Sequence, residues 1–320
     1  MKRALLGLLQ GVLFLFLISF LTFVFMDFAP GDFLDSMALD PRVTPELLES
    51  LRHLYGLDQP VHVQYGRWIQ SVLSGDGGYS LLYRRPVWDL LAPRFFYTLV
   101  LATLALVASW SLALIVGLAC ALRAGGWFDR GVLALIAVLS SVPEILMIFL
   151  GVGVAQVAGL PLGGATSVGH VDFGFWAKIL DRGTYLILPT SILVLGNSPS
   201  IIRHVRAAIL SSLEKPFVAA ARGHGIQGVS LWSRFVLPES SNHLLTLLGV
   251  SAPSVLYSGQ IVELVLGLPG LGPVFVEATF SRDRHLFLGG IILGVVFLMI
   301  GNFLASLLVA KIDPRLRVSA

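Results

Sequence analysis

Any chemistry in this 320-residue chain has to come from seven histidines, one cysteine, nineteen carboxylates and scattered hydroxyls. Gly196-Asn197-Ser198 with His243 offers a hydroxyl and a base, the pair that an intramembrane hydrolase needs. But Ser198 precedes Pro199 and lacks the Gly-x-Ser-x-Gly turn that presents such a nucleophile. His170-x-Asp172 supplies two metal ligands with no third in register, so it reads as an ordinary polar loop. His53 and His62 flank a turn and read as solvated. Cys120 stands alone in an apolar run, which excludes an intrachain disulfide and a Cys-based metal site and suggests a small buried side chain. The four lysines follow Met1, Ala177, Glu214 and Ala310, so no Gly-Lys pair exists and no phosphate-cradling P-loop is possible. The expectation is a non-catalytic chain with no cofactor or metal of its own.

The remaining polar groups of interest lie inside apolar runs, where they are costly. Glu144 follows Pro143 near the middle of one run, and Asn197 with Pro199 interrupts another. Glu263 lies near the end of a third, and Asn302 lies within the last. Each proline removes a helical hydrogen bond and can open or bend a span beside a cavity. Glu144 is the candidate for lining a translocation path, where it would favour a cationic or amino-bearing substrate. Asn197 is placed in the same class.

The elements that hold these residues are membrane spans. Hydrophobic residues make up 56% of the chain and charged ones 13%, about half the share usual in soluble domains. The net charge of +3 is dispersed, with no basic run or aromatic patch of the kind that binds nucleic acid. Runs of about 20 apolar residues, enough to cross a bilayer, fall at Ala4–Met26, Phe95–Leu122, Gly131–Ala158, Tyr185–Ile202, Leu244–Leu266 and Leu286–Ala310. The first is too long for a cleaved signal and lacks a small-x-small site, so it reads as a retained span.

Six spans put both termini on one side. Lys2, Arg3, Arg123, Arg130, Arg203, Arg206, Lys215, Arg222, Arg234, Lys311, Arg315 and Arg317 fall on that side, against Lys178, Arg182, Arg282 and Arg284 opposite. The positive-inside rule then places both termini in the cytoplasm.

Three regions follow: the span at 1–26, an extracytoplasmic loop at 27–94, and a core of five spans at 95–320. In the loop, Thr44-Pro45 reads as an N-cap and first helical position, with Leu47, Leu48, Leu51 and Leu54 on one face. Tyr65, Trp68, Ile69, Val72 and Leu73 mark a second, amphipathic helix. These helices suit either the lipid–water boundary or packing on the outer ends of the spans.

Within the segment 207–240 lies a polar, basic island, Glu214-Lys215-Pro216-Phe217-Val218-Ala219-Ala220-Ala221-Arg222-Gly223-His224-Gly225. Pro216 suits a first helical turn, the alanines favour helix, and Gly223 and Gly225 end it after about two turns. With its neighbours committed to lipid, such a helix has little to bury against in its own chain, so something outside the chain is expected to hold it.

Ala219-Ala220-Ala221, Gly225 and Phe235-Val236-Leu237-Pro238 resemble the cytoplasmic loop motif of bacterial ABC importer permeases, Glu-Ala-Ala, three residues, Gly, nine residues, Ile-x-Leu-Pro. Ala219 replaces Glu and Phe235 replaces Ile. The likeness to the dipeptide/oligopeptide/nickel branch covers nearly the whole chain. Ala29-Pro30-Gly31-Asp32, the Leu54–Pro60 segment with Gln64-Tyr65 and Trp68, and Arg203 with Arg206 are similar to family stretches. So are Ala221-Arg222, Glu263, Pro269-Gly270-Leu271-Gly272, Arg282-Asp283 and Ile312-Asp313-Pro314-Arg315-Leu316-Arg317.

The resemblance implies an all-α, six-span type I importer permease with a helical periplasmic cap, in the bacterial inner membrane. Pro216, Phe217, Ala219, Ala220, Ala221, Arg222, Gly223, His224, Gly225, Leu237 and Pro238 would dock on an ATPase subunit. His224 stands where the family commonly has Lys, and Glu144 departs from its usual residue. Asn302 matches a family Asn, which suggests helix–helix bonding. The implied partners are two ATPase subunits that bind ATP and Mg, an extracytoplasmic solute-binding protein, and a second, related permease in a heterodimer. An ion-coupled secondary transporter working alone is the alternative; it predicts matched inverted halves, and no internal repeat is evident.

Overall fold

The computed structural model describes residues 2–28, 33–34 and 43–312, with side chains described from 9 to 301 except at 242. The Ala29–Asp32 and Asp313–Arg317 motifs and the side chains of Lys2, Arg3, Asn302 and Lys311 lie outside those limits. The described chain is almost wholly helical. Apart from short helical turns at His170–Asp172 and Trp232–Val236, the helices are α1 (Lys2–Phe28), α2 (Pro45–Tyr55), α3 (Val61–Leu73), α4 (Val87–Leu122), α5 (Trp127–Ser141), α6 (Glu144–Ala158), α7 (Phe175–Leu213), α8 (Pro216–Gly223), α9 (Gly228–Leu231), α10 (Leu237–Val265), α11 (Leu271–Phe280) and α12 (Arg284–Ile312). Five are long and apolar enough to cross a membrane. The α5–α6 pair, bent by 106°, makes a sixth if counted as one span.

The chain divides into two compact units, Leu5–Tyr97 with Pro269–Met299, and Thr98–Leu268 with the flanking terminal segments. In the first unit, α2 begins as the sequence predicts, with the Thr44 hydroxyl accepting from Leu47 N at 3.3 Å and Pro45 in the first turn. It buries no residue, and Leu47 and Leu54 remain exposed. The second loop helix, α3, packs inward instead. Tyr65 and Trp68 are buried among Phe23, Leu288 and Ile292. The Tyr65 hydroxyl donates to the Phe16 carbonyl at 3.0 Å and also meets Ser19 Oγ at 2.9 Å. Burial pushes the Tyr65 phenol above its ordinary range.

A two-residue hairpin pairs β1 (Tyr79–Ser80) with β2 (Arg85–Pro86), Tyr79 opposite Pro86 and Ser80 opposite Arg85. Asp283, fully buried, fastens it. One carboxylate oxygen accepts from Ser80 Oγ at 2.6 Å and Leu82 N at 3.0 Å, and the other accepts from Leu286 N in the first turn of α12. Helix α11, short and apolar, buries Leu271, Val274 and Ala278 against Val87, Leu91 and Leu286; the sequence reading assigned no element there.

In the second unit, one of two expectations about proline needs correction. The run Gly131–Ala158 is broken at Pro143 into two helices bent by 106°, as a proline in a span can do. Val142 is extended (φ −82°, ψ 122°), as a residue before proline prefers, and Pro143 caps α6. Glu144 therefore starts a helix, at the break in the middle of the α5–α6 pair. By contrast, Pro199 does not interrupt its span. Helix α7 runs unbroken for 39 residues through Pro189 and Pro199, both buried. At 1.5 Å per residue it is roughly 58 Å long, well beyond a bilayer core of about 30 Å, so it carries helical structure outside the membrane. Cys120 is fully buried, as expected.

Close approach of α4 and α7 depends on Gly117. A Cβ there would lie 2.7 Å from a Val205 methyl and 3.1 Å from the Ile202 carbonyl oxygen. Replacing Gly117 by Val should cost about 1–3 kcal/mol by overpacking, seen as a lower melting temperature in detergent. Gly153→Ala is the control, because nothing lies within 4 Å of a Cβ there.

Candidate functional site

The short helix α8 forms as its sequence dictates. Lys215 is extended at the N-cap (φ −67°, ψ 139°), Pro216 occupies the first turn, and the three alanines continue it. The end is closed by backbone bonds from His224 N to the Ala220 carbonyl (3.0 Å), Gly225 N to Arg222 (2.9 Å) and Ile226 N to Ala221 (3.0 Å). Gly225 sits at φ +80°, where a residue with a Cβ is strained.

The two faces of α8 differ. Val218 is fully buried and Ala221 nearly so, in an apolar cluster with Ile201, Ile202, Val205 and Ile209 of α7 and Leu231 and Val236 beyond. The expectation that the helix has little to pack against within its own chain is therefore wrong. Helix α7 is long enough to leave the membrane and provide that surface, and burying one valine contributes about 1.5–3 kcal/mol. Pro216, Phe217, Ala219, Ala220, Arg222, Gly223, His224 and Gly225 stay exposed on the other side. Phe217 keeps 43% of its surface, an apolar ring in a water-facing position. Leu237 and Pro238 open α10 and are also exposed. Lys215 Nζ lies 3.7 Å from Glu239 Oε1 and joins the starts of α8 and α10 loosely across the surface.

The support beneath includes a residue that the sequence reading missed. Asp129, in the first turn of α5, has a side chain only 2% exposed. Arg206 of α7 grips it as a fork, Nε to one oxygen at 2.6 Å and Nη2 to the other at 2.7 Å, while Gly125 N donates to the second oxygen at 2.9 Å. Such bidentate pairs fix geometry as well as charge. An acid at the start of an apolar helix, just after Gly125-Gly126, was the available signal. Arg203, the other arginine of the pair, is exposed.

The other candidates disperse. Glu144, half-buried at the start of α6, bonds the Ser258 hydroxyl on α10. Asn197 Nδ2 donates to the Leu193 carbonyl one turn back, at 2.8 Å. Ser198 is buried, and the His243 ring lies beside His204 at 6.1 Å. His170 pairs with Asp181 rather than Asp172: Nδ1 and the carboxylate are 2.6 Å apart, and Ser167 Oγ bonds the same carboxylate. His53 is mostly exposed and meets Asp58 at 2.8 Å. Among the described residues no group of three His, Cys, Asp or Glu side chains could hold a metal ion.

Comparison with known proteins follows this geometry. Residues 113–318 match the family described as binding-protein-dependent transport system inner membrane component, and residues 1–102 match the corresponding N-terminal family. A Brucella abortus (strain 2308) protein, named provisionally as a peptide transport system permease, is 32% identical over 96% of each chain. The dipeptide transport system permease protein DppB of Lactococcus lactis is 30% identical over 98% of this chain and 97% of its own. The oligopeptide transport system permease protein AppB of Bacillus subtilis is 28% identical over 93% and 94%. Among solved structures, a chain of the inward-facing MetNI methionine ABC transporter superposes with a TM-score of 0.56 at 17% identity, covering 70% of this chain and 96% of that one. This last likeness concerns the fold.

Removing one member of the buried pair should be far worse than removing both. Asp129→Ala is expected to cost about 1.5–3 kcal/mol because it removes charge-assisted hydrogen bonds and leaves a half-buried Arg206 without its partner, whereas Asp129→Leu with Arg206→Met should be close to neutral. Thermal unfolding of the detergent-solubilised chain, followed by size-exclusion chromatography, separates the two.

Proposed function

The chain belongs to the family of binding-protein-dependent transport system inner membrane components, and from that membership we propose that it is the permease subunit of an ATP-driven importer of peptides. It forms the membrane path, and hydrolysis of ATP, with its Mg, falls to separate ATPase subunits. The observation that carries this reading is the two-faced helix α8. Val218 and Ala221 fix it to its own chain, and Phe217, Ala219, Ala220, Arg222 and His224 face outward for a partner. A helix rigidly joined to α7 and exposed on its far side suits the transmission of force from an ATPase. Gly223, Gly225, Leu237 and Pro238 belong to the same surface.

The bent α5–α6 pair counts here as the third span, and the excess of Lys and Arg on the α8 side places that side and both termini in the cytoplasm. Helices α2 and α3 and the hairpin then face outward, toward the solute-binding protein. Two ATPase subunits and a second, related permease complete the assembly as a heterodimer. Peptides are assigned from the names of the relatives in Lactococcus and Bacillus. Transport proceeds by alternating access. Nucleotide shifts the equilibrium only through its different affinity for the two states, and the binding protein acts by the same rule. An ion-coupled transporter acting alone would dispense with the partner systems to which the relatives belong.

Glu144 lines the path in this reading, at the Pro143 break, with Ser258 as its partner across from α10. Two tests follow. Phe217→Asp with Arg222→Glu should abolish co-purification of the ATPase subunits while leaving the melting temperature of the permease unchanged, because neither side chain is in the buried cluster. Retained ATPase would contradict the docking role. Glu144→Gln should weaken the preference for peptides with a free amino group over N-acetylated ones in competition uptake assays; an unchanged preference would remove Glu144 from the path.

A further inference from the structure

We propose that the Asp129–Arg206 pair is a positioning element, a tie through which displacement of α8 is passed to the broken span α5–α6. The proposal rests on the reading of α8 as the ATPase-docking helix. Its first support is where the two residues sit. Arg206 adjoins Val205 on α7 and stands one turn before Ile209, and both of these pack in the cluster that holds Val218 and Ala221. Whatever moves α8 must therefore move the segment of α7 that carries Arg206.

The second support is the kind of contact that holds α5. Its buried residues are Asp129 and Ile136, and Val132 packs between them on the same face. Leu135 and Val138 are more than half exposed. Beside this apolar packing on α7, the fork to Arg206 is a polar attachment with a fixed direction. Aliphatic contacts can slide, but a bidentate fork with both carboxylate oxygens engaged keeps its register.

The third support is energetic. With the Asp129 carboxylate buried and Arg206 half-buried, the pair is a poor device for stability, because apolar residues of similar volume stabilise as well or better. What the pair adds is direction. At its far end α5 stops at Val142–Pro143, and Glu144 begins α6. A pull on Asp129 therefore acts on a helix that ends at the break beside Glu144.

The test uses the assembled transporter with its ATPase subunits in lipid nanodiscs. Cys120 is replaced by Ala, and spin labels are placed at exposed sites in the pairs Ser111/Ser211 and Ser111/Ser140, which report the α8 end of α7 and the end of α5, each relative to α4. Distances are measured without nucleotide and after trapping with ATP and vanadate. In the otherwise wild-type chain both distances should shift. With Asp129→Leu and Arg206→Met the Ser211 shift should persist and the Ser140 shift should be lost. Arg206→Lys, which keeps charge without the fork, should leave a reduced Ser140 shift. A Ser140 shift that survives the double substitution overturns the tie. So does failure of the double variant to assemble, which would make the pair a folding element. A wild-type chain in which Ser211 moves without Ser140 also overturns it. If neither distance moves in the wild type, the docking reading itself fails, and the tie with it.

Discussion

Inside hydrocarbon every backbone N–H and C=O must find its partner within the protein, and this constraint organises the chain. Continuous helix satisfies it. A departure from continuous helix is tolerated where neighbouring protein or a polar cavity takes up the freed groups. The chain departs most clearly at Val142–Pro143, where α5 ends and α6 begins at 106° to it. The groups left there are partly taken up locally, Val142 N by the Leu139 carbonyl and Met147 N by the Pro143 carbonyl. The adjoining carboxylate of Glu144 finds Ser258. A break with a polar residue beside it is the arrangement expected next to a solvated path, so the same constraint that makes most of the chain monotonous also marks the one broken pair among the described residues.

Helix α7 supplies the frame around that break. It is long enough to serve two environments, with apolar contacts along its membrane-spanning part and a cluster around Val205 and Ile209 that receives α8. Small residues let its neighbours come close: Gly117 of α4 lies against Val205, and Gly151 of α6 against Ile192. Packing of this kind has to replace the hydrophobic driving force, which lipid does not supply between helices. The short helix α8 and the broken span are thus attached to one rod.

Polar pairs do a different job from packing. Asp129 with Arg206, and Asp283 with Ser80 and the Leu82 amide, are both buried carboxylates with their oxygens engaged. Each sits where two elements distant in sequence must keep a set orientation, α5 on α7 in one case and the hairpin on α12 in the other. Apolar contacts would hold these elements together; hydrogen-bonded carboxylates decide how they are turned. The leucine face of α2, by contrast, is only half covered: Leu48 and Leu51 are half-buried, and Leu47 and Leu54 are exposed.

The sequence by itself determined the class, the spans and the capping of the short helices, because each depends on local chemistry: apolar length, the hydroxyl of Thr44, the missing N–H of Pro45 and Pro216, and the left-handed turn at Gly225. It also placed the α8 motif and the family likeness. Tertiary structure decided what local chemistry leaves open. Pro143 breaks a span while Pro189 and Pro199 do not. All three lose the same hydrogen bond, but Pro189 and Pro199 are buried within α7 among neighbours that hold it helical, whereas Pro143 is exposed. Val218 was anticipated as part of a helix lacking support, and it is buried because α7 continues past the membrane. The pairing of Asp129 with Arg206 joins residues 77 positions apart, and nothing in the spacing of either one foretells the other.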